Sequence, residues 1–483
     1  MKTEFRVAGQ RVYDRRGPVR WIISHLLHNW RYVVVAVSGL VVQVGLNSAI
    51  PGLVGRAFDE ILETPPDGHA LGVIALLLLA ITVLRGALDL AQALSWEVLA
   101  KRMERDTRDE LYVSLLGKSQ TFHNRQRVGD LMARAANDVR QLNAMVNPGI
   151  SLITDSMLSL VMPIVFIGLL DWRLLLSPLL FTVAFAWALR RYMRQLNPVS
   201  GSMRMRFGLL NARLAESVTG IEVVKSTAQE GQEQEKFGVN ARSYRDAAVE
   251  QGMIQARYLP TLIMAMTAAG ALCHGLYLVS KDELSTGGLV TYLGLIALLR
   301  FPTFISIFTF SLVQLGVVSA ERILALIKEE TELDENERGY VAPIAGEIAF
   351  EDVTFGYGGE PILKGVSFRA APGETIAIVG ETGSGKSTLT KLVPRIYDVD
   401  AGRILIDGVD AREWNLTSLR SQISTIEQDI VLFSRPVAEN IAFSLGQRVE
   451  MEAIERAAHD AQADGFIRAL PDGYETTIGE RGV

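Results

Sequence analysis

Thr375-Ile376-Ala377-Ile378-Val379 runs without interruption into Gly380-Glu381-Thr382-Gly383-Ser384-Gly385-Lys386-Ser387-Thr388. The first five residues are apolar and rich in β-branched types, the pattern of a buried parallel strand. A helical stretch is expected from Leu389 to about Ile396. Between them stands a G-x-x-x-x-G-K-[ST] loop. Its glycines let the backbone fold tightly, so that successive N–H groups converge as a nest at a helix N-terminus. Lys386 would reach the β- and γ-phosphates of a nucleotide, and the Ser387 hydroxyl would ligate Mg²⁺. ATP and Mg²⁺ are therefore the expected cofactors, with Gly380 to Thr388 as the residues that hold them. A glycine-rich structural turn is the bland alternative, and the strand before and helix after it argue against that.

Outward from this loop the composition divides the chain. Of 483 residues 49% are hydrophobic and only 21% charged, and long uncharged runs fill the first two thirds. Two domains of different solvent preference follow, a membrane domain and an α/β domain. The net charge of −6 gives no basic face for nucleic acid. The single cysteine, Cys273, rules out an intrachain disulfide, and its apolar surroundings predict a small buried hydrophobe. The N-terminus lacks the pattern of a cleavable signal.

A bilayer core takes roughly 20 apolar residues as helix. Tyr32 to Gly55, Tyr258 to Ser280 and Phe301 to Ala320 are charge-free runs. Shorter runs, Ala70 to Leu84, Ser156 to Leu170 and Leu174 to Leu189, extend into flanks that carry Arg85, Asp89 and Asp155. Arg300 falls inside the last candidate, Leu284 to Ala320. Six spans result, and the four charges are expected to face a bundle interior or an aqueous cavity, since lipid-facing charge is expensive. Arg85 and Asp89 are spaced to pair on one helix face.

Flanking charge sets the orientation. Lys2, Arg6, Arg11, Arg15, Arg16, Arg20 and Arg31 precede the first span, and the loop after it carries Asp59, Glu60, Glu63 and Asp67. Lys101–Arg140 and Arg190–Arg257 are long and rich in Arg and Lys. The positive-inside rule makes the N-terminus and both long segments cytoplasmic. Six spans then return the chain to the cytoplasm near Glu321, where ATP is found. Both long segments read as helical continuations of the spans, and Glu230 to Lys236 as a solvated helix face.

With six spans ahead of such a loop, the chain resembles the ABC transporter superfamily, specifically its exporter-type half-transporters. Thr121-Phe122, Gly129-Asp130-Leu131, Arg134 and Asn137-Asp138-Val139 resemble the first intracellular loop of that family. Asn211-Ala212-Arg213, Glu216, Gly220-Ile221 and Val224-Lys225 resemble the second. The resemblance implies that both loops carry short coupling helices against the nucleotide-binding domains. Phe355-Gly356-Tyr357 resembles the A-loop, which implies that Tyr357 stacks on adenine. Glu427-Gln428-Asp429, followed by Leu432-Phe433-Ser434 and Glu439-Asn440-Ile441, resembles the Q-loop, with Gln428 toward Mg²⁺ or the attacking water. Thr477-Ile478-Gly479-Glu480-Arg481-Gly482 resembles the X-loop, with isoleucine where valine is usual.

The family's signature, Walker B with its general base, D-loop and switch histidine would follow, and they are absent from these residues. Leu284-Ser285-Thr286-Gly287-Gly288 imitates a signature but opens the sixth span. Ile404-Leu405-Ile406-Asp407 imitates Walker B, but Gly408 follows, so Asp407 is expected in a turn. The chain is expected to be a fragment, with unpaired strands in its ATPase sheet and no hydrolysis of its own. The expected architecture is an all-α six-span transmembrane domain over 1–325, a linker over 326–345, and an incomplete α/β P-loop nucleotide-binding domain over 346–483. The expected function is ATP-driven export of an amphipathic or hydrophobic substrate, a lipid, drug-like cation or peptide. It would work as a homo- or heterodimer with a second half-transporter in a bacterial plasma membrane. An ATP-binding membrane protein that gates or regulates without turnover, or a channel-type ABC protein, is the alternative.

Overall fold

Helices long enough to leave a membrane dominate the first 328 residues. The structure, a computed structural model, describes residues 2–5, 7, 11–428, 430–445 and 449–479, without side chains at 304, 306–308 and 310. Arg6, Asp429 and Glu480-Arg481-Gly482 lie outside the described residues. The chain divides into two compact units. Arg11–Leu111 with Met132–Lys328 form one; Met1–Gln10, Tyr112–Leu131 and Glu329–Val483 form the other.

The helical unit begins with α1 (Pro18–His28), whose proline occupies the first turn, where no N–H is needed. α2 (Trp30–Leu62) and α3 (Gly68–Leu116) follow. At 49 residues α3 is about 74 Å long, more than twice the roughly 30 Å of a hydrocarbon core. After α4 (Gln120–Arg125), α5 (Val128–Ala133) and α6 (Val139–Ala144) come α7 (Ser151–Leu170) and α8 (Leu176–Thr219), the latter of 44 residues. α9 (Ile221–Ser226), α10 (Glu230–Ala256) and α11 (Leu259–Val279) complete the long hairpin. α8 packs along both α10 and α11. The described residues hold six helical stretches long and apolar enough to cross a membrane, as the sequence predicts.

The sixth stretch is broken. α12 (Thr286–Leu298) ends one residue before α13 (Arg300–Lys328) begins. Pro302 lies in the first turn of α13, where its missing N–H costs nothing. Arg300 therefore stands at a joint and not within one continuous helix. Ser285 caps α12 by accepting a hydrogen bond from the Gly288 N–H, so the signature-like stretch is a helix start. Gly55 of α2 and Gly287 of α12 touch backbone to backbone; a Cβ on either would collide with the other helix. Close approach through small residues is how apolar helices gain contact in lipid. The Asp59 carboxylate accepts from the Gly287 N–H at 2.6 Å and from the Ser285 hydroxyl at 2.7 Å, anchoring one helix to the start of the other.

Cys273 on α11 is exposed, not buried as its apolar neighbours predict. On a membrane helix apolar surroundings do not distinguish a core face from a lipid face.

In the second unit, β1 (Ile348–Phe355), β2 (Leu363–Ala370), β3 (Ala401–Ile406) and β4 (Val409–Asp410) form an antiparallel sheet in the order β2-β1-β3-β4. α14 (Lys386–Leu392) lays Leu389 and Leu392 on it, beside Phe350, Phe355, Ile404 and Trp414. The helix is shorter than the expected Leu389–Ile396: Arg395 adopts φ +51° and closes it. Asp407 and Gly408, at φ +49° and +78°, make the two-residue turn between β3 and β4, the geometry an Asp-Gly pair favours. The Asp407 carboxylate also accepts from the N–H groups of Ala345, Gly346 and Glu347 at 2.6, 3.0 and 2.8 Å. Its role is structural.

The expected buried strand 375–379 is not formed. The segment pairs with no described residue, and Val379 is 89% exposed. Residues 423–427, ahead of Gln428, behave alike, with Ile426 99% exposed. A strand is a member of a ladder, and among the described residues neither segment has a neighbour to supply one.

Candidate nucleotide-binding site

The loop from Gly380 to Lys386 is shaped by two glycines that no other residue replaces without strain. Gly383 and Gly385 take φ of +87° and +91°, and a Cβ on Gly385 would press on Ile362 and Leu363 at 2.9 Å. These conformations turn the chain back over the N-terminus of α14, where the first N–H groups lack intrahelical partners. The Lys386 ammonium lies across the loop, donating to the carbonyls of Gly380 and Glu381 at 2.9 and 2.7 Å. Glu381 also closes the turn, accepting from the Ser384 N–H at 3.2 Å. Thr382 is exposed. The Ser387 hydroxyl is exposed and makes no hydrogen bond among the described residues. A flexible cation held by carbonyls, a bare hydroxyl and a helix start are the donors that a triphosphate with a magnesium ion requires. The loop fits that group.

Tyr357 stands close by. Gly356, just before it, has its N–H held by the Asp400 carboxylate at 2.8 Å, and the Ile362 N–H donates to the Phe355 carbonyl at 2.8 Å, closing the loop between β1 and β2. The Tyr357 hydroxyl donates to Thr388 Oγ1 on α14 at 3.2 Å, so one end of the ring is tied to the phosphate-loop helix. The ring lies perpendicular to Phe355 and Tyr397, at centroid distances of 5.1 and 5.2 Å. It is 48% exposed, so about half of the residue remains accessible to a ligand.

Tyr397 itself is buried, and the sequence gives it no mark. It follows α14 in an irregular stretch where an aromatic reads only as core. Its hydroxyl accepts a hydrogen bond from Asn124 Nδ2 on α4 at 2.8 Å. α4 belongs to the loop that resembles the first intracellular loop. Its base is fixed to the same unit: the Ser119 N–H donates to Thr331 Oγ1 at 3.0 Å, and Phe122 is buried. A short physical path thus runs from α4 through Tyr397 and Tyr357 to Thr388. Proximity to Phe122 and Thr121 is the only signal that could have picked out Asn124.

Among the described residues, no hydrogen bond brings Gln428 to the phosphate loop. Gln428 is exposed, in a bend after 423–427. The segments around it are organised. Asn440 accepts from the Phe433 N–H at 2.9 Å and donates to the Phe433 carbonyl at 3.0 Å, joining two stretches that the sequence groups together. Thr477 and Ile478 pair antiparallel with Pro436 and Arg435. α9, from the second intracellular loop, belongs to the helical unit and exposes Ile221 and Val223.

Comparison with known proteins agrees with this arrangement. Residues 33–303 match the family model of the ABC transporter transmembrane region, and 363–480 the family model named ABC transporter. The ATP-dependent lipid A-core flippase of Thiobacillus denitrificans is 31% identical over 468 residues, covering 96% of this chain and 80% of its own. That of Syntrophus aciditrophicus is 29% identical over 458 residues, covering 94% and 76%. The solved structure of a bacterial Atm1-family ABC exporter with ATP bound superposes with a TM-score of 0.75 at 27% identity, over 94% of this chain and 80% of that one. With six apolar helical stretches and a phosphate loop that fits ATP, this multi-pass membrane protein belongs to the ABC transporter family and has the architecture of its exporters.

Proposed function

We propose that the chain is one subunit of a dimeric exporter that couples ATP binding and hydrolysis to the movement of an amphipathic or hydrophobic substrate across a bacterial plasma membrane. The observation that carries this is the Lys386 ammonium seated on the Gly380 and Glu381 carbonyls, in the same chain as six membrane-length apolar stretches. The names of the lipid A-core flippases support an amphiphile as substrate, as a class only. Residues 1–325 would form the transmembrane domain, 326–345 the linker, and 346–483 the nucleotide-binding part.

In this scheme Lys386 exchanges its two carbonyl partners for phosphate oxygens, and the Gly380–Thr388 N–H groups neutralise phosphate charge. Tyr357 offers its ring to adenine. Ser387 and Gln428 would hold magnesium, which supplies charge neutralisation at the phosphates. The loop of Gln428 would relay the nucleotide's arrival from the phosphate loop to the membrane domain.

The test is ATP-dependent movement of a fluorescent amphiphile in liposomes that hold the full-length protein. Lys386→Ala should abolish both that movement and ATP turnover while leaving membrane insertion intact. Turnover at the unmodified rate in the variant would remove the loop from the function.

A further inference from the structure

In the helical unit, a cavity of about 530 Å³ is faced by ionisable side chains from three helices: Arg85 on α3, Asp155 on α7 and Arg300 at the start of α13. Its size lies within the range of small-molecule sites. The sequence predicts that these charges turn inward, and they converge on one space. Pro163 and Phe301 contribute apolar wall.

The pairing of these charges is informative. Arg85 donates through Nη1 to the Asn47 side-chain oxygen at 2.8 Å, and its Nε lies 3.9 Å from Asp89. Asp155 accepts from the Ser159 hydroxyl at 3.0 Å. No ion pair within 4.0 Å joins Arg85 to Asp155 among the described residues. Two opposite charges therefore share a cavity at membrane depth: Arg85 rests on Asn47 and has Asp89 only at 3.9 Å, Asp155 rests on Ser159, and the two do not cancel each other. Charge is costly there unless something compensates it. A purely anionic ligand would satisfy the Arg85 guanidinium and leave the Asp155 carboxylate facing like charge. A purely cationic one would do the reverse to Arg85.

We infer that this cavity receives the head group of a zwitterionic amphiphile, its ammonium toward Asp155 and its phosphate toward Arg85, with the apolar body against the wall. This rests on the export of amphiphiles proposed above and narrows it to a head-group class. Hydrogen bonds from ammonium to carboxylate and from guanidinium to phosphate are charge-assisted at both ends.

The test is titration calorimetry on the detergent-purified full chain with four probes. These are dihexanoyl-phosphatidylethanolamine, its anionic phosphatidylglycerol counterpart, dodecyltrimethylammonium, and free phosphoethanolamine. The zwitterionic lipid should bind at least tenfold more tightly than each of the others. Asp155→Asn should bring it down to the phosphatidylglycerol level without weakening phosphatidylglycerol itself. Arg85→Gln should bring it down to the level of the cation. Equal binding of the zwitterionic and anionic lipids by the unaltered chain would overturn the inference, whether or not a variant folds. So would free phosphoethanolamine binding as tightly as the lipid. ATP-driven movement of amphiphiles with no head-group preference would sink this site and leave the export function standing. Selective binding without ATP-driven movement would do the opposite.

Discussion

Tyr357 shows how one residue can be tied down and still be available. Its hydroxyl holds Thr388 on the phosphate-loop helix, its ring lies perpendicular to Phe355 and Tyr397, and about half of it stays exposed. Stacking on a base is worth roughly 1–3 kcal/mol by analogy with single-stranded nucleic-acid sites, whereas a single neutral hydrogen bond contributes about 0.5–1.5 kcal/mol. Tyr357→Ala should therefore weaken ATP binding by about tenfold or more. Tyr357→Phe keeps the face, loses only the bond to Thr388, and should weaken binding by no more than a few fold. Equilibrium binding of a fluorescent ATP analogue separates the three forms, and equal affinity in all of them would take Tyr357 out of the site. The shape of the Gly380–Lys386 loop was legible from sequence because glycine, lysine and serine at fixed spacing encode a local backbone shape, and that shape needs no distant partner. Tyr397 was not legible, because its importance comes from Asn124, 273 residues away.

At the scale of elements, the same distinction separates what the sequence predicts from what it misses. The Asp407-Gly408 turn is local and forms as expected, and the stretch expected to open the sixth span does so through an equally local device, the Ser285 cap. Segment 375–379 has the composition of a buried strand, yet pairing is a non-local property and the segment finds no ladder among the described residues. Composition alone cannot reveal that. Between elements, α4 meets the nucleotide-binding part through Asn124 and Tyr397. Removing that hydrogen bond should uncouple substrate from turnover without disturbing the phosphate loop. Asn124→Ala and Tyr397→Phe should each lower substrate-stimulated ATP hydrolysis severalfold, with nucleotide affinity near normal. Unchanged stimulation in both would show that this contact transmits nothing. In the helical unit, α2 and α12 approach so closely at Gly55 and Gly287 that no Cβ fits. Overpacking typically costs about 1–3 kcal/mol. Gly287→Leu should accordingly lower the melting temperature of the detergent-solubilised protein by several degrees, whereas Gly72→Ala, where a Cβ meets open space, should be neutral or mildly stabilising. Equal melting of the two variants would contradict the close crossing.

For the whole molecule, the strongest constraint is the alternation of apolar stretches with charged flanks. Six stretches are long and apolar enough to cross a bilayer, and basic residues crowd the N-terminus and the two long loops while Asp59, Glu60, Glu63 and Asp67 crowd the first short one. Lysine and arginine favour the cytoplasmic side, so the basic N-terminus and long loops are expected there, and six crossings would return the residues after the last stretch to it. The apolar faces of these helices are widely exposed in the isolated chain, including Leu76, Leu79, Val83 and Leu169, as a lipid solvent requires. Cys273 lies on such a helix and is the sole thiol, which makes the topology directly measurable. With Cys273→Ser as background, Glu63→Cys after α2 and Glu235→Cys on α10 place single thiols at exposed positions. In intact cells a membrane-impermeant maleimide should label the first variant fully and the second only after lysis. Equal labelling of both before lysis would break the six-span arrangement, and the reverse pattern would invert it. Cys273 in the unaltered chain, set among lipid-facing residues, should resist the impermeant reagent before and after lysis and become reactive in denaturing detergent. Ready labelling of Cys273 in intact cells would place that face of α11 in water and move the lipid boundary away from it.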